Sequence, residues 1–219
     1  MDSEIKKAHM DAARAWASGD PDPQTRRELE AALERGDVEA LEEGFGSPLT
    51  FGTAGLRGLL GFGPGTMNEA NVARATAGLA RQLLADVPEA TKRGVVVGRD
   101  ARRKSPEFSA TVAEVLAGFG FRVFWFPEPV PTPVAAFAGR HLEAAASVVV
   151  TASHNPPAYN GYKVFSDRGS QIVSPQDVRI HDGMRGAEPA LELPRLSFNE
   201  GVASGLISEL GSELEAAYL

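Results

Sequence analysis

The middle of the chain alternates strand-length apolar runs with helix-length amphipathic segments, and few folds accommodate that order. Strands are predicted at 49–51, 94–97, 121–126, 147–150 and 162–165. Helices are predicted between and after them, starting at Asn68, Ser105, Thr132 and Ser174. This order indicates an α/β domain with helices on both faces of the sheet. Because the strands lack clean polar alternation, we predict a three-layer α/β/α sandwich with a mostly parallel, mixed sheet.

The two ends of the chain differ from this middle. A helical N-terminal arm is predicted over 1–46, with helices at 4–18, 25–33 and 38–41. The α/β domain then occupies 47–187, and 188–219 is predicted to be a connector and the start of a truncated second domain. Its helical pattern over 205–218 stops at Leu219 with no sheet left for that helix to cover. We therefore expect an interrupted protein.

Composition excludes several classes of protein. The 219 residues include no cysteine, which excludes disulfides, cysteine-based zinc sites and a cysteine nucleophile, and favours a cytoplasmic location. No signal peptide and no apolar run of membrane-spanning length is present, so no membrane partner is expected. The net charge of −7 comes from acidic ends around a mildly basic middle, which argues against nucleic acid. That middle suits the binding of a small anionic ligand. The alternative is that its charges only form solvated surfaces, which the charge alone favours.

The residues with the most chemistry follow the strand predicted at 147–150. Ligands of open α/β sheets bind beyond the carboxyl ends of strands, so Ser153 lies where a reacting group belongs. It lacks the Gly-x-Ser-x-Gly pattern of hydrolases. A phosphoryl acceptor fits better, because that role needs cations such as His154, Lys163 and Arg57 around the serine oxygen. The alternative interpretation is a turn that only joins two strands.

Two further segments place charge next to predicted strands. The run 51–58, Phe-Gly-Thr-Ala-Gly-Leu-Arg-Gly, combines flexible glycines with an arginine suited to phosphate, although alone it favours a simple strand turn. The run 99–104 either offers phosphate the start of the next helix or is a solvated loop with Asp100 as a turn residue. The residues favour the second interpretation. His181 is predicted to be an isolated surface residue of a helix.

These segments together resemble one family. Thr-Ala-Ser-His-Asn-Pro at 151–156 and Tyr-Asn-Gly-Tyr-Lys at 159–163 resemble the phosphoserine loop of the α-D-phosphohexomutases, which include phosphoglucomutase and phosphomannomutase. The run 51–58 resembles the N-terminal substrate-facing motif of that family, in the form of the phosphoglucomutase branch that includes phosphopentomutases. Further matches lie in order at 98–100, 105–108, 131–133 and 169–172. The similarity covers about residues 40–185.

The resemblance implies a reaction and a set of roles. Ser153 would carry a phosphoryl group, pass it to a sugar phosphate and take back the other phosphate of the resulting bisphosphate. Sugar 1-phosphate and 6-phosphate, or 5-phosphate for a pentose, would thus interconvert. One oxygen at Ser153 would bind Mg²⁺, and a sugar 1,6-bisphosphate would be the activator. The resemblance assigns catalytic roles to Ser153, His154, Lys163 and Arg57, and substrate binding to Thr53, Arg57, Ser153, Asn155 and Lys163.

The chain also departs from the family pattern. Three motifs of later domains are absent: the Asp-Gly-Asp-x-Asp-Arg metal loop, the Gly-Glu-x-Ser-Gly sugar loop and the Arg-x-Ser-Gly-Thr phosphate loop. Because the family has four domains around a cleft, the chain is expected to be the first domain with a stub of the second. We expect it to be inactive without the remaining mutase domains, which would supply the other Mg²⁺ ligands. The alternative is a solitary, non-catalytic domain that binds sugar phosphates.

Overall fold

Three helices form the N-terminal arm. The computed structural model describes residues 3–219, and it places α1 at Ser3–Gly19, α2 at Pro23–Arg35 and α3 at Val38–Phe45. The three predicted helices are confirmed, while the first two residues of the predicted arm lie outside the described residues. Asp22 and Asp37 cap α2 and α3, because their carboxylates accept hydrogen bonds from backbone N–H groups of the first turn. The arm has a small core of its own, formed by Ala13, Leu29, Leu41 and Phe45.

Strands and helices alternate in the rest of the chain. The strands are β1 (Leu56–Leu59), β2 (Val95–Arg99), β3 (Val123–Trp125), β4 (Ala146–Val150), β5 (Tyr159–Ser166) and β6 (Ile207–Glu209). The helices are α4 (Glu69–Asp86), α5 (Ala90–Arg93), α6 (Ser105–Gly118), α7 (Thr132–His141), α8 (Gln176–Arg185), α9 (Phe198–Ala203) and α10 (Glu213–Tyr218). Within residues 3–219, none of the helices has both the length and the apolar character needed to cross a bilayer.

All six strands belong to one sheet in the order β1-β5-β4-β2-β3-β6. β2 is parallel to β3 and β4, and β6 is parallel to β3, whereas β5 runs antiparallel to both β4 and β1. Val97 and Val148 face α4, α6 and α8 on one side of the sheet, and Val96 and Val149 face α7 on the other. The predicted three-layer α/β/α sandwich with a mixed sheet is confirmed.

The helix predicted over 205–218 is wrong in its first part. Gly205 ends α9 with a left-handed φ of 76°, and the residues after it are extended. Ile207 is buried opposite Val123, so β6 completes one edge of the sheet. A three-residue strand whose partner lies far away in the sequence has too little periodicity of its own to be distinguished from the start of a helix.

The last helix does have a surface to cover, contrary to expectation. Leu214 of α10 is buried against the α7 side of the sheet. The ring of Tyr218 packs edge-on against Phe137 of α7, with 5.5 Å between the ring centroids. Part of the predicted connector therefore packs on the α/β domain, and the predicted boundaries of the domain at 47–187 stay predictions.

The strand predicted at 49–51 is also wrong. Leu49 donates its backbone N–H to the carbonyl of Pro64, and Gly52 and Gly55 exchange two hydrogen bonds across a tight turn. Regular pairing begins only where β1 meets β5, because β5 lies opposite Leu56–Leu59 and not opposite the residues before the turn. The other four predicted strands each overlap an observed one.

Candidate active site

The loop 151–158 joins β4 to its antiparallel neighbour β5. It leaves the sheet at the carboxyl end of β4, which is the side of an open α/β sheet where ligands bind. Ser153 and His154 are exposed there, and Asn155 is half-buried. The serine hydroxyl is thus presented to solvent by a loop whose two ends are fixed in neighbouring strands.

Ser153 has a strained backbone. Its φ is 57°, in the left-handed region that costs a residue other than glycine about 1 kcal/mol. The backbone N–H of Ser153 donates to Oγ1 of Thr151 at 2.9 Å, which holds this conformation locally. Oγ of Ser153 lies 3.5 Å from Nδ1 of His154, at the outer limit of a hydrogen bond. Strain at an exposed polar residue is a feature of functional sites.

Replacing Ser153 with glycine is expected to stabilise the chain. Glycine adopts positive φ without a steric penalty, so the gain should be about 0.5–1 kcal/mol, measurable as a higher midpoint in thermal unfolding. Ser153→Ala is the matched control, since it removes the same hydroxyl but keeps the Cβ atom that causes the strain. A glycine variant no more stable than the alanine variant would show that the left-handed conformation is not strained in solution.

Arg57 of β1 and Lys163 of β5 lie on the same face of the sheet. Arg57 is opposite Gly161 of β5, and Lys163 lies two residues after Gly161 on that strand, so its side chain is on the same face. Lys163 is also opposite Val149, whose side chain packs on the α7 side. Arg57 reaches the loop directly, because its Nη1 donates to Oδ1 of Asn155 at 3.0 Å. The register therefore brings both predicted cations to the face of the sheet that holds α7.

The positive charge at this site is uncompensated. Among the described residues, neither Arg57 nor Lys163 forms an ion pair, and Lys163 also has no hydrogen-bond partner. No hydrogen bond joins Lys163 to Ser153 in this part of the chain, so the structure places Lys163 on the right face without linking it to the serine. Two cations on one face of the sheet, neither paired with a carboxylate among the described residues, suit an anionic ligand.

The glycine-rich motif 51–58 forms a tight turn followed by the first residues of β1. Gly55 has a φ of 82°, and a Cβ atom there would lie 2.1 Å from the carbonyl oxygen of Tyr162 on β5. Thr53 is exposed at the tip of the turn, as a substrate-binding residue requires. His181 is not isolated, contrary to prediction: its Nδ1 accepts a hydrogen bond of 3.3 Å from the backbone N–H of Phe51. Helix α8 thereby holds the start of the motif.

Arg102 is the residue at this site that the sequence did not indicate. The loop 99–104 between β2 and α6 does use Asp100 as a turn residue, since Asp100 Oδ1 accepts from the backbone N–H of Arg102 at 2.9 Å. The side chain of Arg102 is not solvated, however, because it extends under the loop 151–158 and donates to its carbonyls. The interpretation of this run as a solvated loop is therefore wrong for Arg102.

Ser153 does not form a metal site with the other residues that the structure describes. Within residues 3–219, no three histidine, aspartate or glutamate side chains gather at one point. The carboxylate of Asp100 is already held by the Arg102 guanidinium at 3.3 Å and by the Ser105 hydroxyl at 2.7 Å. Because Mg²⁺ needs several oxygen ligands in near-octahedral geometry, the residues present do not fit it by themselves.

The fold and the loop define a class of α/β/α domains that present a polar side chain and uncompensated positive charge at the open end of a sheet. Sequence comparison makes the assignment specific. The chain belongs to the phosphoglucomutase/phosphomannomutase family, and residues 48–190 match the sequence model described as "Phosphoglucomutase/phosphomannomutase, alpha/beta/alpha domain I". The family indicated by the loop and the glycine-rich motif is thereby confirmed.

Curated relatives carry mutase names. The chain is 42% identical over 165 residues to the Schizosaccharomyces pombe protein named "Probable phosphoribomutase", covering 75% of this chain and 28% of that protein. It is 35% identical over 192 residues to the phosphopentomutase of Mus musculus, covering 84% of this chain and 30% of the relative. It is 34% identical over 180 residues to the phosphoglucomutase of Staphylococcus saprophyticus, covering 82% of this chain and 32% of that protein.

A solved structure shares the fold. A phosphoglucomutase/phosphomannomutase family protein from Burkholderia thailandensis superposes with a TM-score of 0.58 at 25% identity, over 76% of this chain and 34% of that one. The chain thus spans about a third of that protein and 28–32% of the length of the curated relatives.

Proposed function

We propose that this chain is the phosphoserine-bearing domain of a sugar phosphomutase, an isomerase that moves a phosphoryl group between two positions of one sugar. The observation that carries the proposal is Ser153, exposed and strained beyond β4 in a loop that Arg57 contacts through Asn155, with no carboxylate among the described residues paired to Arg57. An exposed hydroxyl in a positive environment suits the dianionic charge of a phosphoryl group. The family assignment supports the same reaction class.

The proposed reaction exchanges one P–O bond for another in each half. In the first half, a free hydroxyl oxygen of a sugar monophosphate attacks phosphorus on phosphorylated Ser153, the P–Oγ bond breaks, and Oγ takes up a proton as the sugar hydroxyl loses one. The sugar bisphosphate then reorients in the site. In the second half, Oγ of Ser153 attacks the other phosphate and loses its proton, that P–O bond to the sugar breaks, and the leaving sugar oxygen gains a proton. Phosphate number is conserved throughout.

The side chains around Ser153 have proposed roles that match their positions. Arg57, Lys163 and His154 would hold the phosphates and assist proton movement, since Arg57 and Lys163 are cations on one face of the sheet and His154 is an exposed imidazole in the loop. Thr53 and Asn155 would bind the substrate, and Asn155 already accepts a hydrogen bond from Arg57. One oxygen at Ser153 is the only ligand for Mg²⁺ that we propose for this chain, with the remaining ligands outside it.

The substrate is proposed to be a phosphorylated hexose or pentose, and a sugar 1,6-bisphosphate is the proposed activator. Relatives are named for glucose, pentose and ribose phosphates, so both sugar sizes deserve assay. We propose that residues 1–219 are inactive by themselves and need further mutase domains for activity, because the described residues do not complete a metal site. The cytoplasmic location expected from the sequence stays a prediction.

The proposal is tested by assaying the full-length protein that contains this chain alongside residues 1–219 alone. We expect the full-length protein to interconvert glucose 1-phosphate with glucose 6-phosphate, or ribose 1-phosphate with ribose 5-phosphate. Peptide mass spectrometry should find a phosphoryl group on Ser153, whereas the isolated chain should show no turnover. A full-length protein that binds these sugar phosphates without turnover or phosphoserine would make a non-catalytic binding domain the better description.

A further inference from the structure

Arg102 lies beneath the loop 151–158 with only 16% of its side chain exposed. Its two terminal nitrogens donate to four carbonyls at distances of 2.7–3.1 Å, those of Ser153, Asn155 and Pro156 in the loop and that of Tyr159 at the start of β5. Its Nε lies 3.3 Å from Oδ2 of Asp100. A guanidinium carries five N–H donors in one plane, and here its terminal nitrogens form four hydrogen bonds while Nε lies beside a carboxylate.

The loop needs such a support from outside. Pro156 and Pro157 have no backbone N–H, and the loop contains few hydrogen bonds of its own, such as Asn155 N–H to the carbonyl of Ala152 at 3.1 Å. Its carbonyls are therefore the groups through which another element can fix it. The left-handed conformation of Ser153 also persists only where the surroundings impose it, and the carbonyl of Ser153 is one of those that Arg102 holds.

Hydrogen bonds to neighbouring residues fix Arg102 in turn. Oδ1 of Asp100 accepts from the Arg102 backbone N–H at 2.9 Å and from the Ser105 hydroxyl at 2.7 Å. The Ser105 hydroxyl in turn accepts from Nδ2 of Asn160 at 3.0 Å, on the strand that the loop enters. Ser105 and Asn160 are buried. The guanidinium is thus fixed to the end of β2, the start of α6 and the start of β5, which are rigid parts of the domain.

We propose that Arg102 is the positioning residue of Ser153. It does not touch the hydroxyl, but it fixes the backbone carbonyl of Ser153 and those of residues after it, and so sets the direction in which Oγ points when it attacks phosphorus or leaves it. This inference rests on the proposed function, because it assigns Arg102 to the phosphoryl transfer at Ser153. A displacement of about 1 Å at a reacting atom can lower a rate about 100-fold.

The geometry predicts that lysine cannot replace Arg102. A lysine ammonium has three donors and no fixed plane, so it keeps the charge but leaves carbonyls of the loop without partners. We therefore expect Arg102→Lys and Arg102→Ala in the full-length protein to lower kcat by about 100-fold each, with KM for the sugar phosphate changed by less than about threefold. If only the positive charge of Arg102 were needed, Arg102→Lys would instead keep the kcat of the wild type.

Arg103→Ala is the matched control. Arg103 is the next residue, carries the same charge and is exposed, and its side chain forms no hydrogen bond within residues 3–219. We expect kcat within about twofold of wild type for this variant. Thermal unfolding of every variant shows whether it is folded at the assay temperature. A variant that is partly unfolded has less active enzyme, whereas a folded variant with a misplaced loop has a lower kcat.

Asp100→Asn decides the question if the Arg102 variants do not fold. It keeps the size of the side chain but removes the charge that holds Nε, so a kcat about tenfold below wild type with unchanged KM is expected. Wild-type kcat in folded Arg102→Lys, or in Asp100→Asn where the former does not fold, would overturn the positioning role. Absence of both turnover and phosphoserine in the wild-type protein would overturn the proposed function instead.

Discussion

Full-length protein carrying Ser153→Ala is expected to turn over sugar phosphates at least about 10³-fold more slowly than the wild type. The hydroxyl of Ser153 is the atom that carries the phosphoryl group in the proposed reaction, and alanine offers no oxygen to replace it. We do not expect the neighbouring His154 to compensate, since it is exposed and its Nδ1 lies 3.5 Å from Oγ, at the outer limit of a hydrogen bond. The measurement is kcat with saturating substrate and activator.

Ser208→Ala is a suitable control for that experiment. Ser208 is exposed on β6, at the far edge of the sheet from β1, and its side chain has no hydrogen bond among the described residues. This variant should retain wild-type turnover and no phosphoryl group should be found on the residue. Normal turnover by Ser153→Ala would remove Ser153 from the mechanism, whatever the effect of the control.

The second large effect is expected on stability. Replacing Gly55 with alanine should destabilise the chain by at least about 3 kcal/mol, because two penalties combine. The residue has a φ of 82°, and the added Cβ would lie 2.1 Å from the carbonyl oxygen of Tyr162, a backbone atom that cannot rotate away. Either the turn that presents Thr53 opens or β1 separates from β5. Urea unfolding followed by fluorescence measures the loss.

Gly52→Ala is the matched control within the same turn. A Cβ atom at Gly52 would meet nothing within 4 Å, and its φ is not in the left-handed region. We expect a change in unfolding free energy of no more than about 0.5 kcal/mol, in either direction. Equal losses in both variants would show that the turn, rather than the contact with Tyr162, determines stability here.

The sequence predicts the layers of this fold well because they depend on local patterns. Apolar strands such as 147–150 and helices with clear starts such as that at Thr132 carry their own periodicity, and both are found where predicted. The errors fall where distant partners decide. β6 exists because Ile207 meets Val123, and β1 lies after the glycine-rich turn because Leu56 meets Tyr162. No local pattern contains these pairings.

The residues of the candidate site likewise differ in whether local sequence patterns predict them. Ser153 and Arg57 could be predicted because each lies in a motif of unusual composition, and the structure brings Arg57 to the loop through Asn155. Arg102 could not be singled out, since it stands in a run of charged residues that is typical of a solvated loop. A signal was present in the loop itself: adjacent prolines leave carbonyls that need donors from elsewhere in the chain.

The pairing of β1 with β5 has a consequence for synthesis of the protein. Leu56 leaves the ribosome about a hundred residues before Tyr162, its partner in the sheet, so at about 5–20 residues per second β1 waits about 5–20 s without a neighbour. An unpaired strand is exposed to association with other chains during such an interval. A strand of only four residues, with a glycine and an arginine among them, is poorly suited to that association. Arg57 therefore reaches its place in the site only when β5 has been synthesised and pairs with β1.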